Sequence, residues 1–438
     1  MRNSSRLAFT LGVLLAVNAM NFYDRQVLAA VQEKIRAEWR DISDSALGAL
    51  GTAFIVLYAA VGLPLGRLAD VGRRKWLLAA GVAVWSLLTI LSGFAWSFWS
   101  LFVFRLGVGI GEATCAPVAS SLIGDLVPAQ KRARAMALFM LGLPIGLALS
   151  FFVSGAVADL YGWKEAFFVA GAPGLLLAGA ALFIAEPARG SADAGPAMVP
   201  PPFAVAVRKV LALPTMGWLI ASGALHNFNM YALGTFVASF LHRYHHVSLG
   251  RAGVISGVVY GCGAVGIFAG GWLGDRLFHR GVANRLRVAW VGSAAAIPFL
   301  LLYLGAPAGQ VWLSAAGVLP ACVLMYAYYG TVYATIQDIV PPALRGTAMA
   351  VYFGAMYLFG ALWGPLATGR LSDFFAARAA AGEPPTEIHK AVGLHDALYI
   401  IPILDALLVL VLMAAARTVP RDHQRRLDAE KTIPGADS

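Results

Sequence analysis

The chain has 438 residues, of which 59% are hydrophobic and 13% charged, and a formal net charge of +10. Soluble domains carry about 25% charged residues, so this composition argues against a soluble enzyme. Its positive balance reads as membrane topology, not as affinity for nucleic acid.

Charge-poor runs of roughly 20 residues, enough to cross a bilayer as helices, recur along the whole chain. A transmembrane barrel is disfavoured, because its strands alternate in polarity. Spans are expected at 7–32, 45–70, 76–95, 97–124, 132–159 and 164–185. The first run continues through Asn18, Asn21, Asp24 and Arg25 without a small-residue cleavage site, so it reads as a retained helix and not a signal peptide. A linker follows at 187–210, containing Pro200 to Pro202. Six more spans are expected at 214–242, 249–274, 286–304, 310–337, 345–374 and 393–416. The 375–392 loop is polar, and the tail after Arg417 is expected to lack structure. The domains are then an N-terminal six-helix bundle (1–186), the linker (187–210), a C-terminal six-helix bundle (211–416) and a tail (417–438). The fold class is all-α membrane protein, with twelve transmembrane helices. With the N-terminus in the cytoplasm, 22 Lys and Arg fall on the cytoplasmic side and 9 on the other, so both termini are expected inside.

The two bundles repeat. Asp125-Leu-Val-Pro-Ala-Gln-Lys-Arg-Ala-Arg-Ala-Met-Ala137 returns 213 residues later as Asp338-Ile-Val-Pro-Pro-Ala-Leu-Arg-Gly-Thr-Ala-Met-Ala350. Gly66-Arg-Leu-Ala-Asp70 returns 205 residues later as Gly271-Trp-Leu-Gly-Asp275. Parallel repeats in a membrane chain are the plan of many secondary transporters. Gly66 and Gly271 would let neighbouring helices approach closely. Asp70 and Asp275, with Arg73, Arg134, Arg276 and Arg345, are expected to form a cytoplasmic gate. Spans five and eleven carry helix breakers: Gly142, Pro144, Gly146 and Gly155 in one, Gly354, Gly360, Gly364 and Pro365 in the other.

Four ionisable residues lie inside spans one and four: Asp24, Arg25, Arg105 and Glu112. A charge near the bilayer centre costs at least ~2.5 kcal/mol on insertion scales, so such groups pair, face a wet cavity or do work. Arg105 and Glu112 share a helix face two turns apart, with Gly109 between them leaving that face open. Asn18, Asn21 and Arg25 share another face. Asp24 with Arg105, and Glu112 with Arg25, are expected to exchange partners. A carboxyl losing its arginine in a low-dielectric site takes up a proton, which makes the quartet a proton-coupling device. The C-terminal bundle offers His226 and Asn229 in span seven, Tyr326, Tyr329 and Tyr333 on one face of span ten, and Met356 in span eleven. Rings with hydroxyl tips suit an amphiphile. The expected substrate site is therefore Asn18, Asn21, Arg25, Arg105, Glu112, His226, Asn229, Tyr326, Tyr329, Tyr333 and Met356.

Gly66-x-Leu-Ala-Asp70-x-Gly-Arg-Arg resembles the loop signature of the major facilitator superfamily, with Val71 where that pattern usually has Arg. The resemblance implies the superfamily's fold of two pseudo-symmetric six-helix bundles. Asn21-Phe-Tyr-Asp-Arg-Gln26, Arg105-Leu-Gly-Val-Gly-Ile-Gly-Glu-Ala113, Pro117, Asp125 to Arg132 and Gly162-Trp163 resemble the spinster family of that superfamily, in a bacterial form. That likeness implies a proton-coupled transporter of an amphiphilic anionic lipid (a lysophospholipid or a sphingosine-1-phosphate-like molecule) working by alternating access in the inner membrane. The alternative is a proton-coupled transporter of small organic anions such as carboxylates or sugar acids. The expected partners are the lipid or amphiphilic anion, protons and membrane lipids, with no nucleic acid, and the chain is expected to be a monomer. No cofactor or metal is implied: Cys115, Cys262 and Cys322 lack ligand spacing, and no hydrolase or metalloprotease motif occurs, so no enzyme activity is expected.

Overall fold

The computed structural model describes residues 2–39, 42–127, 135–136, 138–188, 202–341 and 344–431. Among them there is no strand. In lipid a backbone must satisfy its own N–H and C=O groups, and helices do so within one segment. The helices are α1 (Arg2–Glu38), α2 (Asp44–Val71), α3 (Arg74–Gly93), α4 (Phe98–Leu126), α5 (Leu138–Leu160) and α6 (Trp163–Ala181). A short helix, Phe203–Leu211, precedes α7 (Pro214–His245), α8 (Leu249–Phe278), α9 (Asn284–Gly305) and α10 (Val311–Ile339). The last are α11 (Arg345–Ala379) and, after a second short helix Glu387–Leu398, α12 (Ile400–Lys431). Among the described residues eleven helices are long and apolar enough to cross a membrane, and twelve if Phe203–Leu211 and Pro214–His245 count as one bent span.

The helices break where the sequence allows. Helix α4 is interrupted at Ala113 and Thr114, immediately after Glu112, and the Thr114 hydroxyl donates to the Gly111 carbonyl at 2.8 Å. Helices α5 and α11 each contain a π-helical stretch, Ser150–Ser154 and Tyr357–Ala361. Both ends of the second lie 207 residues after those of the first, so the two halves repeat this irregularity as well as their loops. Two segments are more ordered than their composition suggests. The second part of the expected linker is helical because Ala206 and Val210, one turn apart, bury a common face. The expected tail continues α12 as far as Lys431, held by Asp422, which accepts the backbone N–H of Thr215 at 3.0 Å.

The chain separates into two compact units that cut across the expected domains. Unit 1 holds residues 1–197 together with 234–261 and 365–397. Unit 2 holds 198–233, 262–364 and 398–438. Helices α7, α8 and α11 therefore each contribute to both.

Candidate functional site: a buried charge cluster in unit 1

The four charged residues of α1 and α4 come together. Arg105, Glu112 and Asp24 are at most 1% exposed, and Arg25 is 7% exposed. The Nε of Arg25 donates to Oε2 of Glu112 at 2.9 Å. The Arg25 guanidinium also sits against three rings, 4.9 Å from the centroid of Phe22, 5.2 Å from Phe54 and 5.1 Å from Tyr58. These faces stabilise a cation that has left water. Asp24 lies within electrostatic reach of Glu112 and Arg105. Of the two expected pairings, Glu112 with Arg25 is a direct ion pair, and Asp24 acts on Arg105 through space.

Arg105 differs from Arg25. None of its three guanidinium nitrogens has a hydrogen-bond partner among the described residues, and neither does Oε1 of Glu112. Leaving a buried charged donor unsatisfied costs more than leaving a neutral one. A ligand with anionic oxygens would relieve that cost.

Packing sets the geometry. A side chain at Gly109 would collide with the Phe54 carbonyl of α2, so the face between Arg105 and Glu112 is closed by a helix backbone and is not open as the sequence suggested. The Asn18 amide donates to the Phe139 carbonyl of α5 at 2.8 Å. Asn21 is buried, with its amide nitrogen unpartnered among the described residues. Beside Asp24, Tyr23 accepts from the Ser154 hydroxyl at 2.9 Å, which ties α1 to the π-helical stretch of α5.

A second cluster of buried charge, absent from the sequence expectations, also lies in unit 1. Arg243 of α7 donates to Glu33 of α1 at 2.7 Å and to Asp44 of α2 at 2.7 and 2.8 Å. Asp44 also accepts from the Ser372 hydroxyl of α11 at 2.6 Å. Asp373 takes the first free amides of α2, those of Asp44 and Ser45, at 2.8 and 2.9 Å. A helix N-terminus favours such a carboxylate. A side chain at Gly369 would strike the Asp44 carbonyl, so α11 runs directly against the start of α2. Gln32 adds bonds to the Thr235 carbonyl at 2.7 Å and the Ser239 hydroxyl at 2.6 Å. The signal for this cluster was legible as acidic and basic residues flanking spans one, two and seven. Nothing in the spacing paired them, because the contacts join positions about 200 residues apart.

The expected gate residues fall elsewhere. Arg134 and the Asp70 side chain lie outside what the structure describes, and Gly66 lies within α2. Arg73 is exposed, and Arg276 lies over the Trp272 ring at 5.4 Å. Arg345 donates to the Gln337 carbonyl at 3.2 Å. Asp275 accepts from Arg285 at 2.8 Å, a contact within unit 2. A Cβ on Gly271 would meet nothing within 4 Å among the described residues, whereas one on Gly330 of α10 would press on the Gly271 backbone. The repeated aspartates Asp125 and Asp338 each pair with an arginine in the first turn of the third helix of their own half, Arg74 and Arg285. Arg74 also donates to Glu186 at 3.1 Å. Burial opposes the charge on Glu186, but the backbone N–H groups of Lys75 and Arg74 and the Arg74 guanidinium outweigh it and hold its carboxyl below the usual range.

In unit 2, His226 stacks on Tyr328 with centroids 4.0 Å apart and meets the edge of Tyr329 at 4.8 Å. Neither ring nitrogen has a hydrogen-bond partner among the described residues. Tyr326, Tyr329 and Tyr333 form a chain of ring contacts at 5.5 and 5.7 Å, as their common helix face requires. Asn229 donates to the Ile401 carbonyl of α12 at 3.2 Å, and Met356 is buried in the same unit. The sequence reading overlooked Asp405 of α12, fully buried with both oxygens unpartnered among the described residues. A lone acid within Ile400-Ile-Pro-Ile-Leu-Asp-Ala-Leu-Leu was signal enough to find it.

Comparison with known proteins adds the following. The profile of the Major Facilitator Superfamily matches residues 14–365. The chain is 30% identical over 383 residues to an MFS-type efflux pump of Mycolicibacterium smegmatis, covering 85% of this chain and 86% of that one. It is 28% identical to human protein spinster homolog 1, over 96% of this chain and 82% of that one. A crystal structure of a bacterial homolog to the human lysosomal transporter Spinster, inward-facing and unoccupied, superposes with a TM-score of 0.86 at 29% identity, covering 95% and 98% of the two chains.

Proposed function

Since the chain belongs to the Major Facilitator Superfamily, as a spinster-like membrane transporter and not an enzyme, we propose that it moves an amphiphilic anionic lipid, lysophospholipid or sphingosine-1-phosphate-like, coupled to protons and by alternating access. The observation that carries this reading is Arg105: a fully buried guanidinium with no hydrogen-bond partner among the described residues, next to a carboxylate that already has one. The anionic head of the substrate would take Arg105. His226, Asn229, Tyr326, Tyr329, Tyr333 and Met356 are the proposed contacts of the apolar part, and Asn18, Asn21 and Arg25 complete the polar set.

The charge balance gives the coupling its sign. Asp24, Arg25, Arg105 and Glu112 sum to zero when all are ionised. An anion on Arg105 would add one negative charge and offset the attraction that favours the ionised forms of Glu112 and Asp24, so its binding favours proton uptake by a carboxyl. In this reading both termini are cytoplasmic in a bacterial inner membrane, and the chain acts as a monomer. The Arg243 cluster is then the closure on the outer side, and Asp70, Asp275 and their neighbouring arginines act at the cytoplasmic side.

The test is flux in proteoliposomes under an imposed pH gradient, paired with ligand-induced thermal stabilisation. Glu112→Gln should remove the response to the gradient while the protein remains folded. Arg105→Ala should lose stabilisation by lysolipids. Unchanged pH-dependent flux in Glu112→Gln would refute the coupling role. Equal stabilisation by an acyl-free carboxylate would move the substrate to small organic anions.

A further inference from the structure

The helix Phe203–Leu211 takes no part in the charge cluster. It meets α7 at 87° across Ala212 and Leu213, so where α7 crosses a bilayer this helix runs along the membrane surface. Its nine residues are about 14 Å long, too short to be half of a span through a hydrocarbon core of about 30 Å. Its sides are segregated. Ala206 and Val210 are buried with Ala348 and Tyr352 of α11. Phe203 and Leu211 lie on the adjoining side, 57% and 53% exposed. Arg208 and Lys209, both exposed, flank the side away from the buried face, with exposed Val205 between them. The end of α12 packs into the same buried cluster through Val419 and brings exposed Arg417, Arg421 and Arg425 to this region of unit 2. The acid between them, Asp422, is buried, accepts the Thr215 N–H and pairs with Arg425 at 3.6 Å, so the uncompensated charge here is that of Arg417 and Arg421.

An exposed apolar edge flanked by basic side chains, lying across a membrane helix, matches the headgroup region of an anionic leaflet. We propose that Phe203–Leu211 is an in-plane anchor for anionic phospholipids, with Phe203 and Leu211 at the acyl boundary and Arg208 and Lys209 on the phosphates. An acidic protein would satisfy the two cations but leave the apolar edge unused. Because Ala206 and Val210 rest on the first segment of α11, occupancy of the anchor would bear on the start of that helix. The inference requires only that α7 crosses a bilayer, and it stands apart from the identity of the transported molecule.

The full-length protein in non-ionic detergent, given mixed micelles of phosphatidylglycerol or phosphatidylcholine, provides the test by thermal unfolding. Phosphatidylglycerol is expected to raise Tm more than phosphatidylcholine. The excess should disappear in R208Q/K209Q, whose side chains are exposed, and persist in R105A, which alters the buried cluster alone. F203S/L211S should diminish the response to both lipids. Equal shifts from the two lipids, or an excess unchanged in R208Q/K209Q, would overturn the anchor. An excess lost in R105A instead would place the lipid in the buried cluster, and an equal shift from polyglutamate would assign the patch to an acidic protein.

Discussion

Arg25 and Arg105 are both buried arginines near the same carboxylates, yet their surroundings differ. Arg25 has a bonded oxygen and three aromatic faces, and its desolvation is largely offset. Arg105 has through-space attraction alone among the described residues. A guanidinium held this way is a worse structural element and a better receptor, since its five donors are free for a phosphate or carboxylate. Asp405 shows the contrast with an acid. It is buried with no hydrogen-bond partner among the described residues, so its ionised form gains nothing from them. Asp405→Asn keeps the shape and removes the ionisable group, and Tm at pH 8 is expected to rise. A fall in Tm with retained fold would mean that the ionised carboxylate holds a contact of its own.

Among the elements, α7 and α11 bridge the two units, and their ends in unit 1 are fixed by charge. Arg243 holds Glu33 and Asp44 at once, and each of the three is at most 7% exposed. Removing one partner of a buried pair costs about 3–5 kcal/mol, because the other is left uncompensated, whereas replacing the whole set is often near neutral. Arg243→Ala is therefore expected to lower Tm strongly, and Arg243→Met combined with Glu33→Gln and Asp44→Asn to recover much of the loss. Thermal unfolding of the two variants distinguishes an ion-pair clasp from simple packing, for which the triple variant would be no better than the single. The π-helical stretches of α5 and α11 belong at this scale too. Such bulges recur at functional sites, and the one in α5 supplies Ser154 to Tyr23 beside Asp24.

For the whole molecule, coupling is a statement of linked binding. If an anion on Arg105 draws a proton to Glu112 or Asp24, binding must take up protons from the buffer, and by linkage acidification must tighten binding. Calorimetric titration with a lysolipid in two buffers of different ionisation enthalpy measures that uptake directly. Close to one proton per monoanion is expected for the wild-type protein and close to none for Glu112→Gln. Identical heats in the two buffers would separate anion binding from proton binding.

Composition and apolar run length determined the all-helical membrane class and where most of the apolar helices lie, because the bilayer imposes one length and one polarity on any segment crossing it. The repeats determined the two-fold plan, and the charges within spans one and four marked the cluster, since burying them needs a reason. Tertiary structure alone decided the pairings. It turned the repeated aspartates Asp125 and Asp338 toward arginines of their own halves, closed Gly109 against Phe54, sent Asn18 to α5 and gathered Glu33, Asp44 and Arg243. It also made helices of the linker's second part and the expected tail, through Ala206, Val210 and Asp422. Periodicity reports which face of a helix is apolar; which neighbour fills that face depends on contacts between positions far apart in the chain, and one sequence carries no record of them.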